Sequence, residues 1–335
     1  MIKIGIIGTG RLGSFHADKI VGNTDFELVG VMDTAQLARE QLAAKHNVKS
    51  FDNPEQLLDI VDAVVVASPT SLHYELGSLA LRRKKHLLVE KPLCNNAADA
   101  EKLVELANKN NTVLQVGHIE EFNPAWQSAK KYITEFADNK PFIINTTRTS
   151  GYTFRSVDIG TVLDMMIHDI DLVLSIVQYD SAFVKAVGIN IIGGQHEDIA
   201  NAYVQFEDGT TANFFSSRVA AVAVRETQIV TVNGNINIDF AQRSLTLQKI
   251  NDSVKSGNFA PDKITSETIA KIQPVFMKEF FVTTKIENES VDALASETKD
   301  FARAIKTGTP PQVTGKRGLN AIKLAEKFLN TIKHN

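Results

Sequence analysis

Two polar side chains stand four residues apart in an otherwise apolar segment, residues 162–171. If this segment is a helix, Asp164 and His168 share one face and their side chains can form a hydrogen bond. A carboxylate that orients an imidazole raises its basicity, which suits a general base that takes a proton from a hydroxyl. Asp171 lies three residues further on. A metal site made of these three side chains would lack further ligands, so we expect no bound metal.

Lys91 is the second candidate for chemistry. It follows an apolar run and precedes Pro92, at the edge of a predicted sheet where a cofactor would lie. An ammonium group there can transfer a proton or donate a hydrogen bond to a substrate oxygen. The alternative is a surface lysine that pairs with the neighbouring Glu90. The position alone leaves both interpretations open.

The start of the chain carries a glycine pattern typical of dinucleotide binding. Gly8, Gly10 and Gly13 follow an apolar run that predicts a buried parallel strand. The first glycine permits a tight turn, the second lets the backbone approach a pyrophosphate, and the third allows close packing of helix on strand. A helix that begins with Arg11 and Leu12 would direct its first N–H groups at the phosphates. We expect all five residues to bind the cofactor.

Asp33 indicates which dinucleotide binds. It ends a second apolar run and lies twenty residues after Gly13, where a carboxylate that binds the adenosine ribose is expected. A carboxylate repels a 2′-phosphate, and no arginine follows within several residues to bind one. We therefore predict NAD rather than NADP as the cofactor.

Residues 1–118 alternate predicted strands and helices, which is typical of a doubly wound α/β (Rossmann) domain with a parallel sheet. Ligands bind at the carboxyl ends of such strands. The polar residues that follow two of these ends are expected cofactor contacts: Ser68, Pro69, Thr70, His73, Glu90 and Lys91. For His73, a surface histidine near a helix start is the alternative.

Residues 119–335 show the pattern of an α+β domain with an open, mostly antiparallel sheet. Asp208-Gly209 and Asn233-Gly234 predict hairpin turns. A long helix is predicted over residues 160–177, whereas residues 251–290 show no clear pattern. We expect this domain to bind the substrate. The side chains that could face it are Arg148, Tyr152, Arg155 and Arg218, although their spacing does not establish that role.

The open sheet also predicts self-association. If its helices cover one face, the other face is uncovered, and an exposed apolar face is usually buried in a partner. We therefore expect a homodimer or homotetramer that associates through the C-terminal sheet.

The composition limits the remaining partners. The chain of 335 residues is long enough for two domains, and its formal net charge of −3 argues against nucleic acid or an anionic membrane as a main partner. No apolar run reaches the length of a membrane span, and the chain opens on a predicted strand rather than a signal sequence. Cys94 is the only cysteine, with an expected packing role, so no internal disulfide can form. We expect a cytoplasmic protein.

Together these segments resemble the Gfo/Idh/MocA oxidoreductase family, named after glucose–fructose oxidoreductase, inositol dehydrogenase and a rhizopine-catabolism protein. The resemblance extends over essentially the whole chain. It rests on GIIGTGRLGSFHA, VVVASPTSLHYEL, VEKPL, GHIEEFNPAW, VLDMMIHDIDL and DIANAYVQFEDGTTANFFSSR. It implies that Lys91 and His168 flank the substrate carbon that gives up a hydride, and that Asp164 supports the histidine.

The same resemblance implies that Thr70 and His73 form a second cofactor loop, and that Glu90 and Lys91 form a third. Within the family, GHIEEFNPA and DIGTVLDMMIHDIDLVL are most similar to members that oxidise nucleotide sugars such as UDP-N-acetylglucosamine. Those relatives usually carry an arginine where this chain has Glu121. If that arginine positions an anionic substrate or the cofactor, a glutamate weakens the nucleotide-sugar assignment.

The leading hypothesis is an NAD-dependent dehydrogenase that transfers a hydride between a sugar or nucleotide-sugar hydroxyl carbon and nicotinamide. His168 would take the hydroxyl proton and Lys91 would stabilise the oxygen, or the two roles would be exchanged. A dehydrogenase of inositol or free sugars shares this chemistry. A non-catalytic NAD-sensing regulator would keep the fold without turnover, but the presence of Lys91, Asp164 and His168 argues against it.

Overall fold

The computed structural model describes residues 1–154, 157–178, 181–255 and 264–333. Strands and helices alternate in its first part. In chain order they are β1 (Ile2–Ile7), α1 (Arg11–Val21), β2 (Phe26–Met32), α2 (Gln36–His46), β3 (Lys49–Phe51), α3 (Pro54–Leu58), β4 (Ala63–Val66), α4 (His73–Arg82), β5 (His86–Glu90), α5 (Ala97–Asn110) and β6 (Leu114–Gly117). Two 3₁₀ turns, Thr70–Leu72 and Ile119–Phe122, follow β4 and β6.

The six strands form one parallel sheet in the order β3-β2-β1-β4-β5-β6. The order reverses between β1 and β4, so the loops after these strands diverge to opposite sides and open a crevice. Every residue of β4 is buried, as expected of a strand with helices on both faces. The doubly wound α/β prediction is confirmed for this part of the chain.

The second part contains the elements of the α+β architecture. They are α6 (Pro124–Ala137), β7 (Ile143–Thr149), a π-helical turn (Val162–Met166), α7 (Ile167–Leu174), β8 (Ser181–Ile189), β9 (Ile199–Phe206), β10 (Thr211–Ser217), β11 (Val224–Thr231), β12 (Gly234–Asp239), β13 (Ser244–Ile250), α8 (Asp252–Lys255), α9 (Ser266–Ile272), α10 (Phe276–Phe280), β14 (Phe281–Glu287), α11 (Ala293–Thr307) and α12 (Gly315–Lys333).

The strands of this part form an eight-stranded sheet in the order β14-β13-β12-β11-β7-β10-β9-β8. Among the described strand pairs of this second sheet, only β7–β10 is parallel. Both predicted hairpins, β9–β10 and β11–β12, are present. The open, mostly antiparallel sheet is therefore confirmed. β14 escaped prediction because both of its faces are largely exposed and its sequence shows no apolar alternation.

The helix predicted over residues 160–177 is shorter and begins irregularly. It starts as the π-helical turn, and regular α-helix begins only at Ile167. The carboxylate of Glu197 lies against the start of this segment and accepts a hydrogen bond from Val162 N at 3.0 Å. A Cβ on Gly160 would lie within 2.3 Å of that carboxylate, so Glu197 occupies the space of a preceding turn.

The centre of the open sheet face is polar, so the expectation of an apolar face is wrong there. Five side-chain amides on neighbouring strands are joined in a row by hydrogen bonds of 2.9 to 3.5 Å. In order across the sheet they are Asn213, Asn145, Gln228, Asn237 and Gln248. Apolar side chains such as Val187 and Phe215 are exposed on the same face toward β8.

Helix α11 packs against the parallel sheet, and α12 packs against both sheets. Phe301 of α11 stacks on Phe26, with ring centroids 6.1 Å apart, in the core on one face of the parallel sheet. Ile322 of α12 lies in the core on the other face, whereas Phe328 packs under the eight-stranded sheet. The domain boundary at residues 118 and 119 stays a prediction. None of the helices in the described ranges is long and apolar enough to cross a membrane.

Candidate active site

The glycine turn after β1 has the geometry that a bound pyrophosphate requires. Gly8 has a φ of 96°, and a Cβ there would lie 2.6 Å from the backbone of Ala67. A Cβ on Gly13 would lie 1.8 Å from the carbonyl oxygen of Gly8, so α1 packs directly on the turn. Around Gly10, no described atom lies within 4 Å of the Cβ position. Because no side chain caps α1, its first N–H groups can bind an anion at this open position.

The other predicted contacts near this turn lie at its rim. Arg11 and Leu12 are exposed in the first turn of α1, and Pro69 is exposed after β4. Ser68 is half-buried, and Thr70 is buried at the start of its 3₁₀ turn. These residues surround the crevice between β1 and β4, and their contact with the cofactor stays a prediction.

Asp33 is held in place by the glycine turn. Its Oδ2 accepts hydrogen bonds from Thr9 N at 2.7 Å and Thr9 Oγ1 at 3.0 Å, and its Oδ1 accepts one from Ala35 N at 2.9 Å. Burial raises the pKa of Asp33, but these hydrogen bonds outweigh burial and lower it. The carboxylate is therefore ionised at neutral pH, with lone pairs left for ribose hydroxyls.

An arginine does approach this ribose end, although it is six residues from Asp33 in sequence. Arg39 Nη1 lies 3.4 Å from the carbonyl oxygens of Asp33 and Thr34. These contacts are long, and the ionised carboxylate beside them disfavours a 2′-phosphate. NAD remains the cofactor that this geometry fits.

His73 and Glu90 lie beneath the cofactor edge rather than on it. His73 Nδ1 lies 2.8 Å from the carbonyl oxygen of Pro92, and Nε2 lies 3.0 Å from that of Ser68. Glu90 Oε1 lies 2.7 Å from His16 Nε2 of α1. Both side chains are buried and tie neighbouring loops together. Direct contact of these two residues with the cofactor stays a prediction.

Lys91 reaches from the end of β5 to the π-helical turn of the second part. Its Nζ donates hydrogen bonds to the carbonyl oxygen of Asp164 at 2.7 Å and to Asp164 Oδ1 at 3.0 Å. The Lys91–Pro92 peptide bond is cis. The alternative pairing of Lys91 with the Glu90 carboxylate is wrong, because that carboxylate binds His16. An ammonium has three N–H donors, so one remains for a substrate oxygen.

His168 lies in α7, one turn beyond Asp164. Within the described residues no hydrogen bond joins the two, and His168 Nδ1 has no partner. A π-helical turn holds more residues than an α-helical one, so side chains four apart no longer align. Asp164 therefore supports Lys91 instead of the histidine, contrary to the expected hydrogen bond.

The surroundings of His168 keep its ring neutral. Burial is the main cause that lowers the pKa of His168 well below its usual value, and the charges of Lys91 and Arg148 add to this effect. A neutral imidazole has one nitrogen lone pair that can accept a proton. The group can therefore act as a general base at neutral pH.

His118 is a site residue that the sequence did not predict. Its ring meets that of His168 edge to face, with centroids 6.2 Å apart and an interplanar angle of 89°. It is buried, and neither ring nitrogen has a hydrogen-bond partner in the described ranges. One signal could have indicated it, since His118 directly follows β6 at the carboxyl edge of the sheet.

Arg148 does not face a substrate, although the sequence allowed that role. It is only 4% exposed and donates hydrogen bonds to both carboxylate oxygens of Asp169 at 2.8 and 2.9 Å, and to Glu120 at 2.8 Å. Burial alone would lower the pKa of Arg148, but the two carboxylates outweigh burial and raise it. This cluster holds α7 on β7, directly beside His168.

Arg218 has a comparable role at the other end of the helix segment. Its Nε donates to Asp198 Oδ1 and its Nη1 to the carbonyl oxygen of Ile159, both at 2.8 Å. The ring of Tyr152 lies under this guanidinium, 5.5 Å from the central carbon. Arg155, the remaining candidate, lies outside the described residues.

Glu121 points away from the catalytic group. Its buried carboxylate binds Lys130 and, at 2.7 Å, Arg317 Nη2. Arg317 also binds Asp171 at 2.6 Å, which removes Asp171 from the Asp164 and His168 group. The carboxylate at position 121 therefore joins its 3₁₀ turn to α6 and α12, and both of its ion-pair partners are cations. No group of three or more metal-ligating side chains is found within the described ranges.

Comparisons with known proteins agree with this architecture. The model of the "Oxidoreductase family, NAD-binding Rossmann fold" matches residues 2–118, and that of the "GFO/IDH/MocA C-terminal domain" matches residues 132–237. The chain is 29% identical to UDP-N-acetylglucosamine 3-dehydrogenase of Acidithiobacillus ferrooxidans, over 97% of this chain and 95% of that protein. It is 27% identical to myo-inositol 2-dehydrogenase of Thermotoga maritima, over 96% and 94% of the two chains.

A solved structure extends the comparison to three dimensions. The A. ferrooxidans UDP-N-acetylglucosamine 3-dehydrogenase superposes with a TM-score of 0.86 at 28% identity, over 99% of this chain and 98% of that one. Two consecutive domain models of one family, in the order and positions of the two sheets, account for most of the chain. The protein therefore belongs to the Gfo/Idh/MocA family of oxidoreductases and uses its N-terminal Rossmann fold to bind NAD.

Proposed function

We propose that this protein is an NAD-dependent dehydrogenase that oxidises a ring hydroxyl of a nucleotide sugar of the UDP-N-acetylglucosamine type. The observation that carries the proposal is the convergence of Lys91, held by Asp164 at 3.0 Å, with a neutral His168 at the cofactor edge. The relative from A. ferrooxidans, which acts on such a nucleotide sugar, aligns over 97% of the chain.

The three residues divide the chemistry between them. NAD⁺, held at the glycine turn and Asp33, would supply the acceptor for the hydride of the hydroxyl-bearing carbon. His168 takes the hydroxyl proton on a ring nitrogen, which its lowered pKa keeps free. Lys91 donates its third N–H to the same oxygen and stabilises the negative charge that develops there. Asp164 is a positioning residue that fixes the direction of the Lys91 ammonium.

Replacement of either central residue tests the assignment. We expect His168→Ala and Lys91→Met each to lower kcat by about 10²- to 10⁴-fold, because a proton acceptor or a charge-stabilising donor is lost. The Kd for NAD, measured by calorimetry, should stay within twofold of that of the parent protein. Lys131→Met, at an exposed position of α6, is the matched control. Full turnover in either active-site variant would refute these roles.

A substrate panel separates the proposed function from its rivals. Reduction of NAD, followed by absorbance, should be fastest with UDP-N-acetylglucosamine and much slower with free N-acetylglucosamine or myo-inositol. The reverse order would favour an inositol or free-sugar dehydrogenase, the activity named for the T. maritima relative. Tight NAD binding without turnover of any sugar would favour a regulatory protein.

We also propose that two copies associate through the open face of the eight-stranded sheet. Each amide of the central row can both donate and accept hydrogen bonds, so the row is complementary to its own copy. The exposed Phe215 beside the row adds apolar contact area. The molar mass from light scattering should be that of at least a dimer. Phe215→Asp should lower this mass toward that of the monomer, whereas Leu37→Asp in α2 should leave it unchanged. A monomeric parent protein at micromolar concentration would contradict this arrangement.

The compartment that we propose is the cytoplasm. The single cysteine, Cys94, is buried, and burial raises its pKa to about 12, so it is neither a disulfide partner within the chain nor a reactive thiolate. Cell fractionation tests the location, and recovery of the protein outside the cytoplasm would refute it.

A further inference from the structure

A cavity of about 580 Å³ lies between α1 and the ends of strands in the eight-stranded sheet. Phe15 and Lys19 of α1 line one side of it. Arg225 at the start of β11 and Arg243, between β12 and β13, line the other side. This volume is within the usual range of small-molecule sites, roughly 300–1,000 Å³. None of these four residues has a role in the site described above.

Arg225 differs from its neighbour Arg148, with which it pairs across the β7–β11 ladder. Arg148 is buried between carboxylates, whereas Arg225 is exposed to the cavity. Its guanidinium has neither a hydrogen bond nor an ion pair with any residue in the described ranges. A guanidinium with five free N–H donors on a cavity wall is suited to bind an anion.

The charges on the cavity wall leave a positive excess. Lys19 is neutralised by Asp292 at 2.7 Å, whereas Glu120 shares the single charge of Arg148 with Asp169, so one carboxylate charge of that group is left over. Arg243 has only the hydroxyl of Ser290, at 3.1 Å, as a side-chain partner in the described structure. Neither Arg225 nor Arg243 forms an ion pair within the described ranges, and set against the remaining carboxylate charge they leave one positive charge in excess on the cavity wall.

The cavity is electrostatically connected to the catalytic group. After burial and the charges of Lys91, Arg148 and His118, Arg225 is a further cause of the lowered pKa of His168. Arg225 also contributes to the lowered pKa of Glu120, where burial acts in the opposite direction and Arg148 has the larger opposing effect. In the structure, Arg225 lies opposite Arg148, which binds Asp169, the residue after His168, so an anion bound at Arg225 would lie near the histidine that we assign as the base.

We propose that Arg225 and Arg243 form a subsite for the diphosphate of a nucleotide-sugar substrate, placed so that its sugar ring reaches His168. The ring of Phe15, which is 42% exposed, provides an apolar wall for the nucleoside. Arginine binds phosphate oxygens through paired hydrogen bonds, so two arginines match the two phosphates. The subsite rests on the proposed function and extends it, since it explains how a nucleotide sugar is distinguished from a free sugar.

Binding of UDP to the full-length protein saturated with NAD tests the subsite directly. Saturation with NAD prevents UDP from occupying the pyrophosphate site of the cofactor. We expect Arg225→Gln and Arg243→Gln each to raise the calorimetric Kd for UDP by about ten- to hundredfold, as loss of hydrogen bonds to a charged group predicts. Uridine should bind more weakly than UDP and should not distinguish the variants. Arg82→Gln, at an exposed position of α4, is the matched control.

Further measurements distinguish a nucleotide-sugar diphosphate from a sugar monophosphate and from the cofactor as the ligand of these arginines. Glucose 6-phosphate, used as a competitor, should displace UDP far less effectively than UDP-N-acetylglucosamine does. Stronger displacement by the sugar monophosphate would overturn the diphosphate assignment. A loss of NAD affinity in Arg225→Gln, equal to its loss of UDP affinity, would show that this arginine binds the cofactor and would also overturn the proposal.

The subsite and the proposed function fail in different ways. If both arginine variants bind UDP as tightly as the parent protein, the subsite is wrong even where UDP-N-acetylglucosamine is turned over. If UDP binding depends on Arg225 but no nucleotide sugar is oxidised, the subsite holds and the proposed reaction is wrong. Melting temperatures close to that of the parent are expected for both variants, because both side chains are exposed.

Discussion

The two sheets of this protein bury ionisable groups beside them in different ways. Around the eight-stranded sheet, guanidinium groups lie 2.6 to 2.9 Å from carboxylates. The groups are Arg148 with Asp169 and Glu120, Arg218 with Asp198, and Arg317 with Asp171 and Glu121. Beside the parallel sheet, His16 pairs with Glu90, and the fully buried Glu297 of α11 has no partner for either carboxylate oxygen in the described ranges.

This difference shows where pH can act on the structure. Arginine keeps its proton throughout the physiological range, so the positive charges of the clusters around the eight-stranded sheet do not change with pH. Burial raises the pKa of Glu90, but the hydrogen bond with His16 and the charges of His16, Lys91 and His73 together outweigh burial and lower it. Burial also raises the pKa of Glu297 well above its usual value, and the nearby Glu90 and Asp300 add to that effect. Lys91 follows Glu90 directly, so its end of the site rests on groups that titrate.

The largest effect should follow from breaking the Arg148 cluster. Arg148→Met keeps most of the side-chain volume but leaves Asp169 and Glu120 buried without their counter-charge. Removal of one partner of a buried ion pair costs about 3–5 kcal/mol. We therefore expect a loss of that size in the free energy of unfolding, measured by urea titration.

The adjacent Arg225 supplies the control for this prediction. Arg225→Met changes the same residue type at the register partner in β11, but the side chain is exposed and has no ion pair in the described part of the chain. Its free energy of unfolding should change by no more than about 0.5 kcal/mol. Equal losses in the two variants would show that burial and pairing do not distinguish these arginines.

The sequence predicted where the candidate cofactor residues lie in the fold, because parallel strands bring their carboxyl ends to one edge. The spacing of Gly8, Gly10 and Asp33 therefore predicted their positions relative to the first two strands. The strand that precedes Lys91 likewise predicted the position of Lys91 at the sheet edge. The fold classes of both sheets were predictable for a similar reason, since turn residues and apolar periodicity are local signals.

The other half of the site depends on contacts that are not local in sequence. Arg225 is placed beside Arg148 by strand register, and Glu121 meets Arg317 at a separation of 196 residues. The partner of Asp164 was mistaken for the same reason. An α-helical spacing predicted His168, whereas the π-helical turn directs the carboxylate to Lys91. Spacing rules assume regular geometry, and irregular turns at a functional site break that assumption.

A smaller loss should follow at Arg317. Its side chain is 15% exposed, and Lys130 remains as a counter-charge for Glu121 when the arginine is replaced. We expect Arg317→Met to lower the free energy of unfolding by about 2–3 kcal/mol, less than Arg148→Met, because solvent and Lys130 compensate part of the lost pairing.

A double-mutant cycle isolates the pair energy at this position. The changes in free energy of unfolding of Arg317→Met and Glu121→Gln should be non-additive. Glu121→Gln removes the carboxylate charge that Arg317→Met leaves without its arginine partner. Additive losses would show that Arg317 acts through Asp171 alone, which it binds at 2.6 Å. The difference in free energy of unfolding between Arg148→Met and Arg317→Met then measures how strongly burial determines the stability that these ion-pair clusters provide.

The smallest effect, and the only gain, should come from the carboxyl group beside the parallel sheet. Glu297→Gln replaces an unpartnered buried carboxyl group with a neutral amide of the same shape. Because the folded-state pKa of Glu297 is raised above its usual value of 4.5, the folded protein holds this proton more tightly than the unfolded chain. In the wild-type protein, the stabilisation that Glu297 contributes is fully present below pH 4.5. It is lost as the pH rises toward the folded-state pKa of Glu297.

The variant lacks this proton linkage, so its advantage should be absent near pH 4.5 and should grow as the pH rises. Urea titrations at several pH values measure the difference, with Glu105→Gln at an exposed position of α5 as the control. A constant difference at all pH values would mean that Glu297 is not the titrating group. A loss of stability that grows with pH would mean that its ionised form is stabilised, and the contrast between the two sheets would then fail. The expected rise of this advantage with pH would instead show that the pH-sensitive part of the molecule includes Glu297 and Glu90, the residue before Lys91.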